Sequence, residues 1–447
     1  MHVVVVGAGE VGSFIADRLS KEGHDVAIID KNTEKLRRLD ETLDVLTVAG
    51  SGSDPDVLRR AGIVGADLLL ALTSSDEANV LATMLGRSLG AERAVVRIES
   101  EGLQSPAAEA VLRNIGADLF IDPDGETARK VLELIDFPGT DEVNVMAKDK
   151  VLVIGATLGE DAPLAGRTLE EIGEEFEPDW AFMVAAIGRG DETFIPRRDH
   201  RLEVGDHVRI VAKRSARQLI SDLLGLDRTA PKKVMVLGGG RTGELLARSL
   251  RRHGIDVRVM ERDPVRARLL AENLGDVQVI EGDITDDNLL DEAEVGRCEV
   301  VVAMTGEDDA NILACLYAKK HGTRETIAVL HRLALLDLLS DAGVDAALSP
   351  RTATASAVMR FVRGDVDAVA TFLHGQAEVL ELTVAQDHPA DGSLVADLDF
   401  PKEALIAAFV RDGVAEIARG RSRLTAGDRL VVVSMPSCVD EVHRIIG

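Results

Sequence analysis

The chain has 447 residues, 46% of them apolar but only 3% aromatic, and a formal charge of −26 from 77 acidic against 51 basic residues, of which 12 are lysine. That length exceeds one ordinary domain and suggests three or four, and so acidic a surface repels nucleic-acid phosphates, excluding DNA and RNA as partners. Three scattered cysteines with no Cys-x-x-Cys pairing fit a reducing compartment and argue against a structural zinc.

The first element, Val3-Val4-Val5-Val6, is an apolar strand starting almost at the amino terminus, so no signal peptide is expected. No apolar run approaches the roughly 18 to 20 residues that span a bilayer, and the expectation is a soluble, cytoplasmic protein. The strand runs into Gly7-Ala8-Gly9-Glu10-Val11-Gly12 and then a stretch of helical period through Phe14, Ile15 and Leu19. Eighteen positions past the last glycine, Asp30 closes the second strand, Asp25-Val26-Ala27-Ile28-Ile29-Asp30. In such a loop the first glycine permits the tight turn and the second removes the side chain that would block phosphates. The third lets helix and strand pack closely. The following helix offers unpaired amides and a partial positive charge. Asp30 is placed to accept both ribose hydroxyls of an adenosine and would repel a 2′-phosphate, which leads to the expectation of NAD over NADP.

Further strand ends carry polar residues where open α/β sheets bind ligands. Ser51 follows the third strand, Thr73 and Ser74 the fourth, and Arg97 ends the fifth, from which it could reach the phosphates. A sixth strand is expected at Leu119-Phe120-Ile121, and residues 124–136 read as a single helix leading out of the sheet. This alternation of apolar runs and helical stretches is the pattern of a doubly wound parallel sheet. Residues 1–122 are therefore expected to form one nucleotide-binding Rossmann domain. Residues 142–226 read as a small α+β module, with the turn signal Gly205-Asp206 between short antiparallel strands.

Past a linker near Leu226 to Lys233, the whole pattern repeats. Val234-Met235-Val236-Leu237 leads into Gly238-Gly239-Gly240-Arg241-Thr242-Gly243, and Glu261 again stands eighteen positions past the last glycine. Asp283, Thr305 and Gly306 take the places of Ser51, Thr73 and Ser74. The place of Arg97 is apolar, near Leu330, and a cation appears only at His331 or Arg332. Residues 231–350 are thus expected to form a second Rossmann domain, with a helix over 352–364. Residues 370–447 form a second small α+β module, whose Arg423-Leu424-Thr425-Ala426-Gly427-Asp428 answers Arg201-Leu202-Glu203-Val204-Gly205-Asp206.

No catalytic constellation is visible. Tyr317 lies in Tyr317-Ala318-Lys319-Lys320 rather than a Tyr-x-x-x-Lys arrangement and is expected to pack on its helix, and no histidine stands at metal-ligand spacing. His253 precedes Gly254 at a helix end, where a cation is stabilising.

The chain resembles the regulator-of-potassium-conductance family. Beyond the glycine loop with Asp30, the likeness rests on Leu58-x-x-Ala61-Gly62 and on Ala66-Asp67 followed by Thr73-Ser74-Ser75-Asp76-Glu77-x-Asn79. Met260-Glu261-Arg262-Asp263 and Gly306-Glu307-Asp308-Asp309-x-Asn311 repeat it. Pro163-Leu164-x-Gly166-x-x-Leu169 and Leu202-x-x-Gly205-Asp206 are similar to the C-terminal domains of that family. The resemblance implies a regulatory subunit rather than an enzyme, peripheral on the inner face of the membrane. It would bind NAD or NADH, and in related members ATP or ADP, assemble into a homo-oligomeric ring, and dock on a TrkH-type potassium-translocating membrane protein. Carried over by position, Gly7, Ala8, Gly9, Glu10, Val11, Gly12, Asp30, Ser51, Thr73, Ser74 and Arg97 would line the first site. Gly238, Gly239, Gly240, Arg241, Thr242, Glu261, Asp283, Thr305 and Gly306 would line the second, where the altered loop leaves the ligand open. The rivals are an NAD-dependent oxidoreductase, which needs a proton donor opposite the nicotinamide, and an unrelated metabolite-sensing protein.

A surface rich in Asp and Glu and poor in Lys stays hydrated when salt screens everything else, so a host with high internal salt is expected, against an ordinary acidic bacterial protein. Refolding yields compared at low and at molar potassium chloride check this. Recovery that rises with salt is the expected outcome, and indifference to salt counts against it.

Overall fold

The computed structural model describes all residues except 22, 191, 227–228, 337–338, 340–341, 363–368, 372–376, 387 and 447. Residues 227–228 of the expected linker, 363–364 of the expected second helix, and 372–376, 387 and 447 of the second small segment therefore lie outside the described residues. Among the described residues no helix is long and apolar enough to cross a membrane.

The first six strands are β1 (His2–Val6), β2 (Asp25–Asp30), β3 (Leu46–Ala49), β4 (Leu68–Ala71), β5 (Arg93–Arg97) and β6 (Leu119–Ile121). They form a parallel sheet in the order β3-β2-β1-β4-β5-β6. Val3 to Val6 and Leu68 to Ala71 are sealed on both faces, as expected of strands covered by helices on each side, and branched aliphatic residues fill that space without aromatics.

In the first small module β7 (Glu142–Met146), β8 (Val151–Thr157), β9 (Phe182–Arg189), β10 (Glu192–Phe194) and β11 (His207–Lys213) pair antiparallel in the order β10-β9-β11-β8-β7. The second half repeats both sheets. Its parallel sheet contains β12 (Lys233–Leu237), β13 (Asp256–Glu261), β14 (Gln278–Glu281), β15 (Val300–Ala303), β16 (Glu325–Val329) and β17 (Ala346–Leu348), ordered β14-β13-β12-β15-β16-β17. Its antiparallel sheet contains β18 (Val369–Thr371), β19 (Glu378–Thr383), β20 (Ala404–Arg411), β21 (Val414–Ile417) and β22 (Arg429–Ser434), ordered β18-β19-β22-β20-β21. The α/β class with two doubly wound sheets, each followed by a small α+β module, is the one the sequence leads to.

The aspartate of each Gly-Asp turn does more than turn the chain. Asp206 and Asp428 are each 1% exposed and are gripped at both oxygens, Asp206 by Arg189 at 2.7 and 2.7 Å and Asp428 by Arg411 at 2.7 and 2.5 Å. A buried carboxylate needs such a partner, because desolvation without one costs several kcal/mol.

The chain divides into two compact units that do not follow the sequence halves. One comprises Met1–Thr127 and Pro350–Val362; the other comprises Ala128–Ser349 and Arg363–Gly447. In the first unit the helix Pro350–Val362, made by the second half, buries Ala355, Val358, Met359 and Val362 against Ile15 and Leu19 of the helix Glu10–Lys21. Arg93 at the foot of β5 donates to the Phe361 and Val362 carbonyls, both at 3.4 Å. In the second unit Val131, Leu134 and Ile135, from the helix that leaves the first sheet, join the core of the second sheet with Leu246 and Leu250. The two small sheets of that unit share a core of Val151, Val153, Ala185 and Val211 with Val379, Ala407, Val431 and Val433.

Glu325, at the foot of β16, is 3% exposed. Its Oε1 accepts from the Gly139 amide at 3.4 Å, while Oε2 has no hydrogen-bond partner among the described residues. Burial, with the Asp345 carboxylate adding to it, pushes this carboxyl from its ordinary 4.5 up to about 7, against the opposing pull of the Gly139 amide, Arg324 and Lys319. The unfolded chain ionises this group near 4.5 and the folded chain only near 7, so its contribution to stability is complete below about 4.5 and is lost as the pH rises through 7. The loss is on the order of 3 kcal/mol. Glu325→Gln should keep the Gly139 contact, flatten the fall in thermal midpoint between pH 5 and 7 by about that much, and be the more stable protein at pH 8.

Candidate nucleotide sites

At the C-terminal edge of each parallel sheet the strand order reverses between β1 and β4, and between β12 and β15, which opens the crevice where such folds place ligands. Each glycine there answers a different constraint. Gly7 and Gly238 hold φ of 110° and 112°, a conformation side chains rarely adopt. A Cβ on Gly12 would sit 1.9 Å from the Gly7 carbonyl oxygen, and one on Gly243 would sit 2.1 Å from that of Gly238. Gly9 and Gly240 differ: a Cβ on either meets nothing within 4 Å. That space lies over the first turn of a helix, since Ser13 N donates to Gly9 O at 2.9 Å and Glu244 N to Gly240 O at 3.0 Å. The amides of such a turn have no partner within the helix, and its dipole favours an anion. The residues fit a nucleotide pyrophosphate, with a cradle that a side chain would fill.

The acid at the end of the second strand is fixed from both sides. Asp30 accepts from Ala8 N and from Asn32 N, both at 2.7 Å, and Glu261 accepts from Gly239 N and from Asp263 N, both at 2.8 Å. The Ala8 and Gly239 amides are thereby committed to the acid, and each carboxylate oxygen keeps a lone pair for a ribose hydroxyl. The two copies differ in a matched way. Glu261 is one methylene longer than Asp30, and a Cβ on Gly239 would stand 2.3 Å from Leu270 Cδ1 and 3.0 Å from Glu261 Cβ. The longer acid goes with the smaller loop residue.

In the second copy Gly238, Gly240, Glu261, Asp283, Thr305 and Gly306 line a cavity of about 380 Å³, within the size range of ligand pockets. Gly239, Arg241 and Thr242 lie outside its walls. Asp283 Oδ1 accepts from the Thr285 amide at 2.9 Å and hydroxyl at 2.7 Å, and those bonds hold its carboxyl below the ordinary value. Arg262 and Glu307, which the sequence offers as motif residues but not as site residues, join walls of this cavity through an ion pair at 2.7 Å. In the first copy Ser51 Oγ accepts from Ser53 N at 3.3 Å, and the neighbouring Gly52 brings its loop so close to β1 that a Cβ would lie 2.1 Å from Val6. Val11 and Gly12 are buried and support the loop, whereas Glu10 is half exposed.

Thr73 and Thr305 are held by a residue whose role sequence reasoning missed. Asn79, 0% exposed, accepts from Thr73 N at 2.9 Å and Thr73 Oγ1 at 2.7 Å, and donates to the Thr73 and Arg97 carbonyls. Asn311 does the same for Thr305 and the Val329 carbonyl. Asp76 in turn accepts from the Glu99 and Ser100 amides, and Asp308 from those of His331 and Arg332. The Arg97 guanidinium points onto Glu99, its Nε at 2.7 Å, rather than into the glycine loop. Val329 occupies the aligned strand position, and Arg332 is engaged by Asp308 and Asp309.

Arg351, also unanticipated, reaches Glu10 from the helix Pro350–Val362, with Nε to Oε2 at 3.1 Å and a terminal nitrogen to Oε1 at 2.6 Å. Tyr317 stacks on His321 one turn along its helix, with ring centres 4.2 Å apart. A smaller cavity of about 150 Å³ lies among Ile172, Phe176, Trp180 and Phe182 of the first small module and Leu405 of the second.

The TrkA-N domain family model matches residues 3–123 and again 234–350, and the TrkA-C domain family model matches 153–225 and 379–447. The Trk system potassium uptake protein TrkA of Azorhizobium caulinodans is 32% identical over 451 residues, covering 100% of this chain and 98% of its own length. The protein of the same name from Halomonas elongata is 31% identical, covering 97% of this chain and 95% of its own. Among solved structures, the GsuK RCK domain matches with a TM-score of 0.62 at 19% identity, covering 99% of this chain and 94% of that one. The GsuK channel bound to NAD matches at 0.63 and 19%, covering 99% and 78%. GsuK bound to ADP matches at 0.52 and 17%, covering 81% and 69%.

A Cβ at Gly9 or Gly240 meets open space, so Gly9→Val and Gly240→Val should each abolish nucleotide binding at their own loop with little change in thermal midpoint. Gly12→Ala, which strikes the Gly7 carbonyl, should destabilise the fold instead. Calorimetric titration and thermal denaturation of the three variants separate the two effects.

Proposed function

The chain belongs to the TrkA family, with both of its domain types present twice, and on that premise we propose that it is the nucleotide-sensing regulatory subunit of a potassium uptake system. The observation that carries this reading is the pair of cradles at Gly9 and Gly240, each beside an acid already locked in place by the loop it serves. NAD or NADH fits such a site through its pyrophosphate over the helix turn and its adenosine ribose on Asp30 or Glu261. ATP and ADP share the same adenosine and phosphate chemistry, and the chain's structural neighbours include GsuK bound to NAD and GsuK bound to ADP. The first site would comprise Gly7 to Gly12, Asp30, Ser51, Thr73 and Ser74, with Arg97 joining it only by leaving Glu99. The second would comprise Gly238, Gly240, Glu261, Asp283, Thr305 and Gly306, with Gly239, Arg241 and Thr242 in the loop outside its walls.

The work of these sites is recognition and not group transfer. The subunit acts at the cytoplasmic face of the membrane, as a homo-oligomeric ring on a TrkH-type potassium-translocating partner. A nucleotide that fits one domain arrangement better than another biases the ring by its differential affinity. A coupling of about 1–3 kcal/mol changes gating several-fold to a hundredfold.

Titration of the purified protein with NADH, NAD, ATP and ADP in high potassium chloride tests the sites. Asp30→Ala and Glu261→Ala should each remove about half of the binding. Addition of the tight-binding nucleotide should then alter the scattering envelope of the assembly and the potassium flux of cells or vesicles carrying the partner. Nucleotide binding with neither change would overturn the regulatory reading.

A further inference from the structure

Two helices reach the first glycine loop with their amino-terminal ends, and they come from opposite halves of the chain. Glu10–Lys21 belongs to the loop itself, and Pro350–Val362 follows the last strand of the second sheet. They run the same way: Arg351, at the start of the second helix, meets Glu10 at the start of the first. Phe361 and Val362, at its far end, meet Arg93 at the opposite edge of the sheet. Ile15 and Leu19 pack against Val358, Met359 and Val362 between those ends. The start of the second helix and the Arg351 guanidinium are therefore brought to Glu10, the residue next to Gly9.

What stands among them is a carboxylate. Glu10 is the residue immediately after the second glycine of the loop, where a phosphate approaching Gly9 would meet its negative charge. Its side chain is 54% exposed and that of Arg351 is 25% exposed, so solvent and ligand have access to the pair. An ion pair so exposed contributes little to stability. Its geometry is bidentate, the form in which a guanidinium also takes phosphate.

We propose that Arg351 is a phosphate-binding residue of the first site, held in readiness by Glu10, and that an incoming nucleotide phosphate takes the guanidinium over from the carboxylate. This rests on the reading of the first loop as a nucleotide site. No bond is made or broken in the exchange; one anion replaces another on the same donor. Two consequences follow from where Arg351 sits. The first site discriminates by phosphate charge, favouring a nucleotide with a free terminal phosphate over a dinucleotide whose phosphates are both esterified in a pyrophosphate bridge. And Arg351 lies on a helix, Pro350–Val362, that the second half of the sequence supplies, so an occupant of the first site acts directly on chain belonging to the second half.

The experiment uses the full-length protein with Gly240→Val, which closes the second cradle, and compares adenosine, ADP, ATP and NADH by calorimetry at fixed ionic strength. Arg351→Ala should raise the Kd for ADP and ATP about tenfold, the scale of one charge-assisted hydrogen bond, and leave adenosine unchanged. Glu10→Gln should act in the opposite direction, tightening ADP and ATP several-fold. If the pair merely pinned the helix Pro350–Val362, both substitutions would shift affinity the same way, with a parallel drop in thermal midpoint, and the proposal would be overturned. If adenosine, ADP and NADH all failed to bind before either substitution, or if Gly9→Val left their binding intact, the nucleotide reading of the first loop would itself fall. Unaltered ADP affinity in both Arg351→Ala and Glu10→Gln, with Gly9→Val inactive, would remove Arg351 from the site and leave that reading standing.

Discussion

Everything at the sheet edges depends on how closely one helix sits on one strand. The α-carbons of Gly12 and Gly243 lie over the carbonyls of Gly7 and Gly238, so near that a methyl group would penetrate the oxygen. That approach sets the first helix turn directly above the end of the central strand, and the space at Gly9 and Gly240 exists because of it. It also brings the Ala8 and Gly239 amides within hydrogen-bond reach of the acid on the next strand. Loop, helix and acid thus form one geometric unit, and Asn79 and Asn311 extend it by tying the following loop to the fifth strand.

Within that unit the two copies have changed by compensation. Lengthening the acid from Asp30 to Glu261 is accompanied by removal of the Ala8 methyl at Gly239, and the carboxylate arrives at the same amide. Around the rim the charges diverge. The first copy sets Arg97 on Glu99 and Arg351 on Glu10, while the second sets Arg262 on Glu307 and Arg332 on Asp308 and Asp309. Burial pushes the Asp308 carboxyl up, but the His331 and Arg332 amides and the Arg332 guanidinium outweigh it and hold it below the ordinary aspartate value. The shared machinery is backbone-based and conservative; the electrostatics that a bound phosphate would feel are not shared.

The glycine loops, the acids and the parallel sheets were legible in the sequence because each imposes a residue type at a fixed spacing. A positive φ calls for glycine, and a strand covered on both faces calls for an unbroken apolar run. Asn79 and Asn311 were visible as repeated letters, but their work was hidden because their partners are backbone carbonyls, which any residue supplies. The same holds for Asp206 and Asp428, which read as turn residues and prove to be buried anchors for Arg189 and Arg411. Periodicity in Pro350–Val362 announces one apolar face and says nothing of which core it enters. The pairing of that helix with the first sheet, and with it the place of Arg351, is a fact of tertiary structure alone.

The exchange of that helix has a consequence for how the protein is made. A ribosome completes the first sheet by residue 127, but Ala355, Val358, Met359 and Val362, which cover Ile15 and Leu19, are still to be translated. At about 5–20 residues per second, the intervening chain takes roughly 10–45 s to synthesise. Throughout that interval an apolar stripe on the nascent domain faces water. The core of the newborn first half is thus completed only when the second half has nearly been written.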